Sequence, residues 1–280
     1  MNNIRRKIIN NIMILIMIIS TLIILVPLIN IFIYIFLKGI SSININFFTK
    51  LPMPVGEPNG GMANAIVGSI ILIILSSMWA IPVGILGGIY LAEFGNNKLG
   101  TIIRFTADVL SGVPSIVIGI FAYIVIVLPM KNFSAISGAF ALGIIMIPTI
   151  MRTTEEMINL VPHTLREASL ALGITRFRTT ISIVLKTALN GIITGIILSV
   201  ARISGETAPL LFTAFGNRFW HEGINKPIAA LPLQIFAYAI SPYEDWHKQA
   251  WAGALVLIAM IFLTSFISRR ILKSKYKIER

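Results

Sequence analysis

Six long apolar stretches alternate with polar segments along this 280-residue chain. Each approaches or exceeds the roughly 20 apolar residues that a helix needs to cross a bilayer core about 30 Å thick. Because a lipid-exposed backbone must satisfy its own hydrogen bonds, such stretches predict helices. We therefore predict an all-α, polytopic integral membrane protein with six transmembrane helices. The predicted spans are Ile12–Leu37, Asn64–Ala92, Val109–Pro129, Phe133–Met151, Ala188–Phe215 and Gln249–Ile267.

The order of these stretches divides the chain into parts. Residues 1–60 would hold a cytoplasmic N-terminus, the first helix and the first external loop. Residues 61–272 would form the transmembrane core, with a polar cytoplasmic loop at 152–187, and residues 273–280 a basic cytoplasmic tail. The first stretch follows Arg5-Arg6-Lys7, as in a signal peptide. It is too long for one, however, and no small-residue cleavage site follows it, so we expect a retained helix.

The composition and the charges refine this picture. Only 12% of the residues are charged, against about a quarter in soluble domains. The net charge of +12 is unevenly spread along the chain. Sixteen of the 23 Lys and Arg lie in the two terminal segments and in the loops that six spans would place on the same side of the membrane as the termini. By the positive-inside rule, both termini are expected in the cytoplasm of a cell (plasma or inner) membrane. The basic residues would then meet membrane lipid, and no nucleic-acid partner is predicted.

The segment Arg152–Lys186 is the most informative polar stretch. Thr164 and Glu167 fit a capping box that would begin a short helix, and Gly173 would end it in a left-handed conformation. One face of that helix would carry small and aliphatic residues at helical spacing. Such a face suits docking to a partner, although the same residues could serve only to cap and end the helix. The candidate docking residues are Leu165, Glu167, Ala168, Ser169, Leu172 and Gly173.

A second informative stretch lies within the fifth predicted span. Charges inside a membrane are costly and mark functional sites, and Arg202 and Glu206 are four residues apart, so they can pair on one helix face. Arginine can hold two oxygens of an oxyanion at once, and Glu206 could accept a proton-bearing oxygen of phosphate. The alternative is a structural ion pair. The candidate substrate-pathway residues are Arg202, Ser204, Glu206 and Thr207.

These motifs carry a family resemblance. Glu167-Ala168-Ser169, Gly173 and Ile183-Val184-Leu185 resemble the "EAA" loop of ABC-transporter permeases, although Lys186 stands where that family usually has proline. The stretch Arg202–Thr213, together with Asp108–Val117 and Ala230–Ile235, resembles phosphate permeases of the PstA type. The resemblance covers roughly residues 61–270.

The resemblance implies the type I ABC-importer permease core, with five helices preceded by an extra one. It implies a permease subunit of an ATP-driven phosphate importer, which forms half of the translocation pathway. The expected partners are a homologous second permease subunit, an ABC ATPase dimer and an extracytoplasmic phosphate-binding protein. The chain has no phosphate-binding loop of the G-x-x-x-x-G-K-[ST] type, so ATP hydrolysis would belong to a separate chain.

Three other functions are considered. The chain could be a permease for another oxyanion, sulfate or molybdate, or an ion-coupled secondary carrier that uses Arg202 and Glu206 as its relay. A membrane-embedded enzyme is the third, but no nucleophile–base pair supports it. His163, His221 and His247 lack metal-ligand spacing. We therefore assign no catalytic residues, no metal site and no cofactor.

Overall fold

The computed structural model describes residues 3–57 and 60–276. The helices in these residues are α1 Asn3–Ile40, α2 Ile45–Thr49, α3 Ala63–Phe94, α4 Lys98–Gly112, α5 Ser115–Ala122, α6 Leu128–Met130, α7 Ala135–Asn159, α8 His163–Ala171, α9 Arg176–Thr179, α10 Leu185–Ser204, α11 Ala208–Leu211, α12 Leu231–Ala239 and α13 Glu244–Tyr276. One π-helical turn joins α5 to α6, and another joins α9 to α10. We name the two ends of the bundle after the short helices that lie there, the α8 end and the α12 end.

The all-α, membrane-spanning prediction is confirmed. Five helices of the described residues are long and apolar enough to cross a membrane, and a bent pair brings the number to six if it counts as one span. The first and second predicted spans lie within α1 and α3. The last prediction, Gln249–Ile267, was too short, because α13 extends from Glu244 to Tyr276. Residues 277–280 of the predicted basic tail lie outside the described part of the chain.

The third predicted span, Val109–Pro129, has the wrong start. Residues 109–112 belong to α4, and the chain then bends by 106° before α5 begins. The cause is Pro114, which lacks an N–H and forces Val113 out of the helical region to φ −69° and ψ 131°. Sequence reasoning missed α4 as a helix of its own, since charged residues interrupt its apolar pattern.

The central packing joins α3 and α7, with α10 on another side of α7. Glycines on α3 face bulkier residues of α7, and a β-carbon on Gly84 would lie 2.8 Å from Cβ of Ile150. On α10, a β-carbon on Gly195 would lie 2.5 Å from Cγ2 of Thr153. Small residues thus let these helices approach closely.

The first helix lies at the side of this core. α1 packs on α13 near the α12 end, where the ring of Tyr34 meets that of Trp251 edge-on at 5.1 Å between centroids. Gly39 allows this approach, because a β-carbon there would lie 2.8 Å from the carbonyl oxygen of Trp251. Most of α1 is otherwise exposed in the single chain. The arrangement fits the expectation of one extra helix before a five-helix core.

Two other boundaries differ from the sequence prediction. The fourth span, Phe133–Met151, was too short, because α7 continues to Asn159 and includes the first residues of the predicted polar loop. The fifth, Ala188–Phe215, was too long, since α10 ends at Ser204 and Gly205 caps it. Residues 205–215 are apolar enough to extend a predicted span, but they form a turn and the short α11 instead.

Candidate functional site

The short helix α8 ends as the sequence predicted. Gly173 has φ +76°, its N–H donates to the Leu170 carbonyl, and the Ile174 N–H donates to the Ser169 carbonyl. These two bonds form a Schellman motif, which a glycine in the left-handed region permits. The start of α8 was predicted wrongly. It begins at His163 after Pro162, without a side-chain cap, so Thr164 and Glu167 form no capping box.

The outer surface of α8 carries most of the predicted docking residues. Leu165, Glu167, Ala168 and Leu172 are exposed, and Leu172 is 81% exposed. Ser169 instead turns inward, where its hydroxyl lies 2.8 Å from that of Thr179 on α9. The predicted small-residue face is therefore divided, because Ser169 joins α8 to the next helix and the other residues remain free for a partner.

Arg166 fixes α8 to two membrane helices, a role that sequence reasoning missed. Its Nη1 lies 2.7 Å from Oε1 of Glu93 at the end of α3, and its Nη2 donates to the Ile158 carbonyl of α7. Both side chains of the ion pair are largely buried, at 16% and 15% exposure. The two residues are far apart in sequence, so no local pattern could have predicted the pair.

A second ionic cluster at the α8 end joins α4 to α7. Glu155 is buried and accepts hydrogen bonds from Arg104 Nε at 2.6 Å and from Arg152 Nη1 at 3.2 Å. Arg152 also forms an ion pair with Asp108 at 2.5 Å. Arg104 donates further to backbone carbonyls at the end of α3. These contacts hold α4 against α7 and the end of α3, although the chain bends directly after α4.

Arg202 and Glu206 lie near each other, but not on one continuous helix. Arg202 is in the last turn of α10, and Glu206 follows the cap residue Gly205. Arg202 Nε lies 4.0 Å from Glu206 Oε1, at the limit of an ion pair. The Arg202 side chain is 44% exposed and that of Glu206 is 18% exposed. The contact is thus loose, and the guanidinium retains donors for another partner.

The other two predicted pathway residues have backbone roles. The Ser204 hydroxyl is partly buried and donates to the Val200 carbonyl, which uses its proton within α10. Thr207 begins α11, and its carbonyl accepts the Leu210 and Leu211 N–H groups. Of the four predicted residues, Ser204 therefore has its hydroxyl proton in use, whereas the side chains of Arg202, Glu206 and Thr207 stay candidates for a substrate site.

A cavity of about 350 Å³ opens at the α12 end. Its polar side is formed by Arg218, whose guanidinium lies 5.7 Å from the ring centroid of Trp246. Tyr238 stacks on the same indole at 4.6 Å. Burial raises the pKa of Tyr238, while a hydrogen bond from Gln234 and the positive charge of Arg218 act in the opposite direction. The phenol therefore stays protonated at neutral pH.

Comparison with known proteins identifies the family. Residues 84–276 match the family described as "Binding-protein-dependent transport system inner membrane component". The chain belongs to this family. A Yersinia pestis protein named "Phosphate transport system permease protein PstA" is 44% identical over 85% of this chain and 81% of its own length. A Xylella fastidiosa protein of the same name is 47% identical, over 84% of this chain and 82% of its own.

A solved structure supports the same fold within the family. An inward-facing MetNI methionine ABC transporter aligns with a TM-score of 0.61 at 18% identity. The alignment covers 75% of this chain and 92% of the transporter chain. The type I ABC-importer permease fold predicted from sequence is thereby confirmed. A family member of this kind is a multi-pass membrane permease.

Proposed function

We propose that this chain is the PstA-type permease subunit of an ATP-driven phosphate importer. The observation that carries the proposal is the 43–47% identity to curated permeases named for phosphate transport, over more than four fifths of the chain. The chain would form half of the translocation pathway, beside a homologous second permease subunit. An ABC ATPase dimer would supply the energy, and an extracytoplasmic phosphate-binding protein would deliver the substrate.

The α8 end would be the ATPase-facing, cytoplasmic end. Two features support this assignment, namely the exposed residues Leu165, Glu167, Ala168 and Leu172, and the excess of basic residues on the segments at this end. α8 would dock on the ATPase and move with it. Because Arg166 and Ser169 bind neighbouring helices, that movement would reach α3, α7 and α9 directly.

Arg202 would contact the anion, and Glu206 would hold the guanidinium between transport events. The 4.0 Å separation supports this assignment, because a tight structural ion pair would leave fewer donors for a ligand. Glu206 would also favour an anion that carries a proton, such as phosphate near neutral pH. Sulfate has no such proton, so the adjacent carboxylate would repel it.

Uptake measurements test the proposal. Membrane vesicles or cells that contain the assembled transporter should take up labelled phosphate in an ATP-dependent way, and labelled sulfate or molybdate much less. Arg202→Lys should lower phosphate uptake although the charge is kept, since lysine lacks the planar fork. Equal uptake of sulfate, or uptake that follows an ion gradient without ATP, would overturn the proposal in favour of the other functions considered.

A further inference from the structure

The free face of α10 differs chemically from the free faces of α3 and α5. On α3, the exposed apolar residues include Ile70, Ile74, Met78 and Leu86, as expected for a surface in contact with lipid. The exposed positions of α5 are likewise isoleucine, valine and phenylalanine. On α10, by contrast, the exposed residues along one face of the helix are mostly polar. They are Thr187, Asn190, Thr194, Leu198 and Arg202.

The spacing of these residues places them on one stripe. They are separated by three and then by four residues, which is the repeat of one face of an α-helix. The stripe lies between the side of α10 that packs on α7, which includes Gly195 against Thr153, and the side with Ala201 that faces α13. From Thr187 to Arg202 it extends for about 22 Å, most of a bilayer core.

On this stripe, the side chain of Asn190 is the uncharged polar group that lipid would not satisfy. The hydroxyls of Thr187 and Thr194 donate to the carbonyls of Ile183 and Asn190, so they need no further partner. The Asn190 side chain makes no hydrogen bond to any described residue, and it is exposed. An amide without a partner in hydrocarbon costs several kcal/mol, by the order of magnitude for buried polar groups. Asn190 therefore meets water or another polar group.

We infer that this face lines a hydrated path, along which Asn190 receives an oxyanion on its way between Arg202 and the α8 end. The inference rests on the proposed function and adds a subsite to it. Arg202 stands at one end of the stripe as the charged group, while the amide N–H groups of Asn190 can donate to oxyanion oxygens without trapping them by a full charge. Leu198 lies between the Asn190–Thr194 part of the stripe and Arg202.

The absence of cysteine from the sequence makes a direct test available. Asn190→Cys and Thr194→Cys would be introduced separately into the assembled transporter in membranes. Each would be treated with an anionic, membrane-impermeant methanethiosulfonate, which reacts with thiolates in water but not with thiols in lipid. Ile74→Cys on the exposed apolar face of α3 is the matched control, at 59% exposure. The unsubstituted transporter corrects for cysteines in partner chains.

We expect the thiols at 190 and 194 to react at least tenfold faster than the thiol at 74, and phosphate with ATP to slow or speed that reaction severalfold. Thiols at 190 and 194 as unreactive as the one at 74 would overturn the inference, because the face would then meet lipid or a packed helix. The inference would also be overturned if a thiol at 190 or 194 forms a disulfide with a cysteine of the second permease and phosphate does not change its reaction rate. That result would indicate a subunit interface.

A charge test adds a transport readout. Asn190→Asp changes the shape of the side chain little but places a negative charge on the path, and it should lower phosphate uptake at least tenfold. Asn190→Ser removes the amide without adding a charge, so it should lower uptake less than Asn190→Asp does. Equal uptake by both variants would contradict the inference. The hydrated path and the proposed function can be refuted separately. If Arg202→Lys abolishes phosphate uptake while Asn190→Asp does not, the path along α10 is refuted and the proposed function is not. If neither variant affects phosphate uptake, the anion contact of Arg202 is wrong as well. The proposed function itself is overturned only by equal uptake of sulfate or by uptake that does not need ATP.

Discussion

Arg166 Nη1 lies 2.7 Å from Glu93 Oε1, so the short helix α8 is bound to the end of α3 by a largely buried ion pair. Removing one partner of such a pair leaves a buried charge and costs ~3–5 kcal/mol. We expect Arg166→Gln to loosen α8 and make residues 160–175 sensitive to limited proteolysis. The exchange Arg166→Glu with Glu93→Arg should restore much of the protection.

The control for this pair is the exposed pair of Lys248 and Asp245 at the α12 end of the bundle, with side chains 60% and 70% exposed. Because exposed pairs contribute little, Lys248→Gln should leave the proteolysis pattern and the transport rate unchanged. If Arg166→Gln behaves like Lys248→Gln in both measurements, the ion pair does not hold α8 in place.

The second prediction concerns docking through Glu167. Since Glu167 is exposed and caps no helix here, Glu167→Lys changes the contact surface without weakening α8. We expect reduced copurification of the ATPase and reduced phosphate uptake, with normal insertion into the membrane. Normal copurification and uptake would argue against α8 as the ATPase contact.

The third prediction concerns the end of α8. Gly173→Val should disturb the chain there, because a β-branched residue resists φ +76°. Gly112→Val is a matched control, as a β-carbon at Gly112 would meet no atom within 4 Å and its φ is not positive. We expect Gly173→Val to lower phosphate uptake at least tenfold and Gly112→Val much less. Equal effects would show that the left-handed turn has no special importance.

The fourth prediction compares two glycines at helix contacts. A β-carbon on Gly88 would lie 2.6 Å from the Met151 backbone oxygen, which cannot move away, whereas on Gly191 it would meet the flexible Met157 side chain. Overpacking of this kind costs about 1–3 kcal/mol. Gly88→Ala should therefore lower the midpoint of thermal unfolding in detergent clearly more than Gly191→Ala. The reverse order would contradict the packing described for α3 and α7.

The fifth prediction separates a substrate contact from a structural bridge at Arg202 and Glu206. If the two residues only hold the chain together, replacing both with glutamine should preserve assembly and transport. If Arg202 meets the anion, the double variant should assemble and retain ATP hydrolysis but lose phosphate uptake. We expect the second result, and substantial uptake by a well-assembled double variant would disprove the substrate role.

The sequence predicts this protein best where the cause is local. Gly173 predicts the end of α8 correctly, because a left-handed glycine and the two hydrogen bonds around it need only neighbouring residues. Long apolar runs predict the spans for the same reason. The PstA-type motif at Arg202 also matches the family that the comparisons find.

Errors arise where distant residues decide the structure. α4 was missed because Arg104 and Asp108 look unsuitable for a helix packed at a membrane, and their partners Glu155 and Arg152 lie on α7. Ser169 was assigned to the docking face, although Thr179 draws its hydroxyl inward. The expected capping box failed for a local reason, since Pro162 caps α8 two residues before Thr164.

Gly119 brings the backbones of α5 and α11 into direct contact, since a β-carbon there would lie 2.6 Å from Cα of Pro209. No side chain lies between them at this point, so none can rotate to absorb a displacement. The turn that carries Glu206 is three residues before Pro209 and is tied to the same contact. The two segments should therefore shift together, so a movement of the helix after the 106° bend would also move the turn that carries Glu206, part of the proposed anion site.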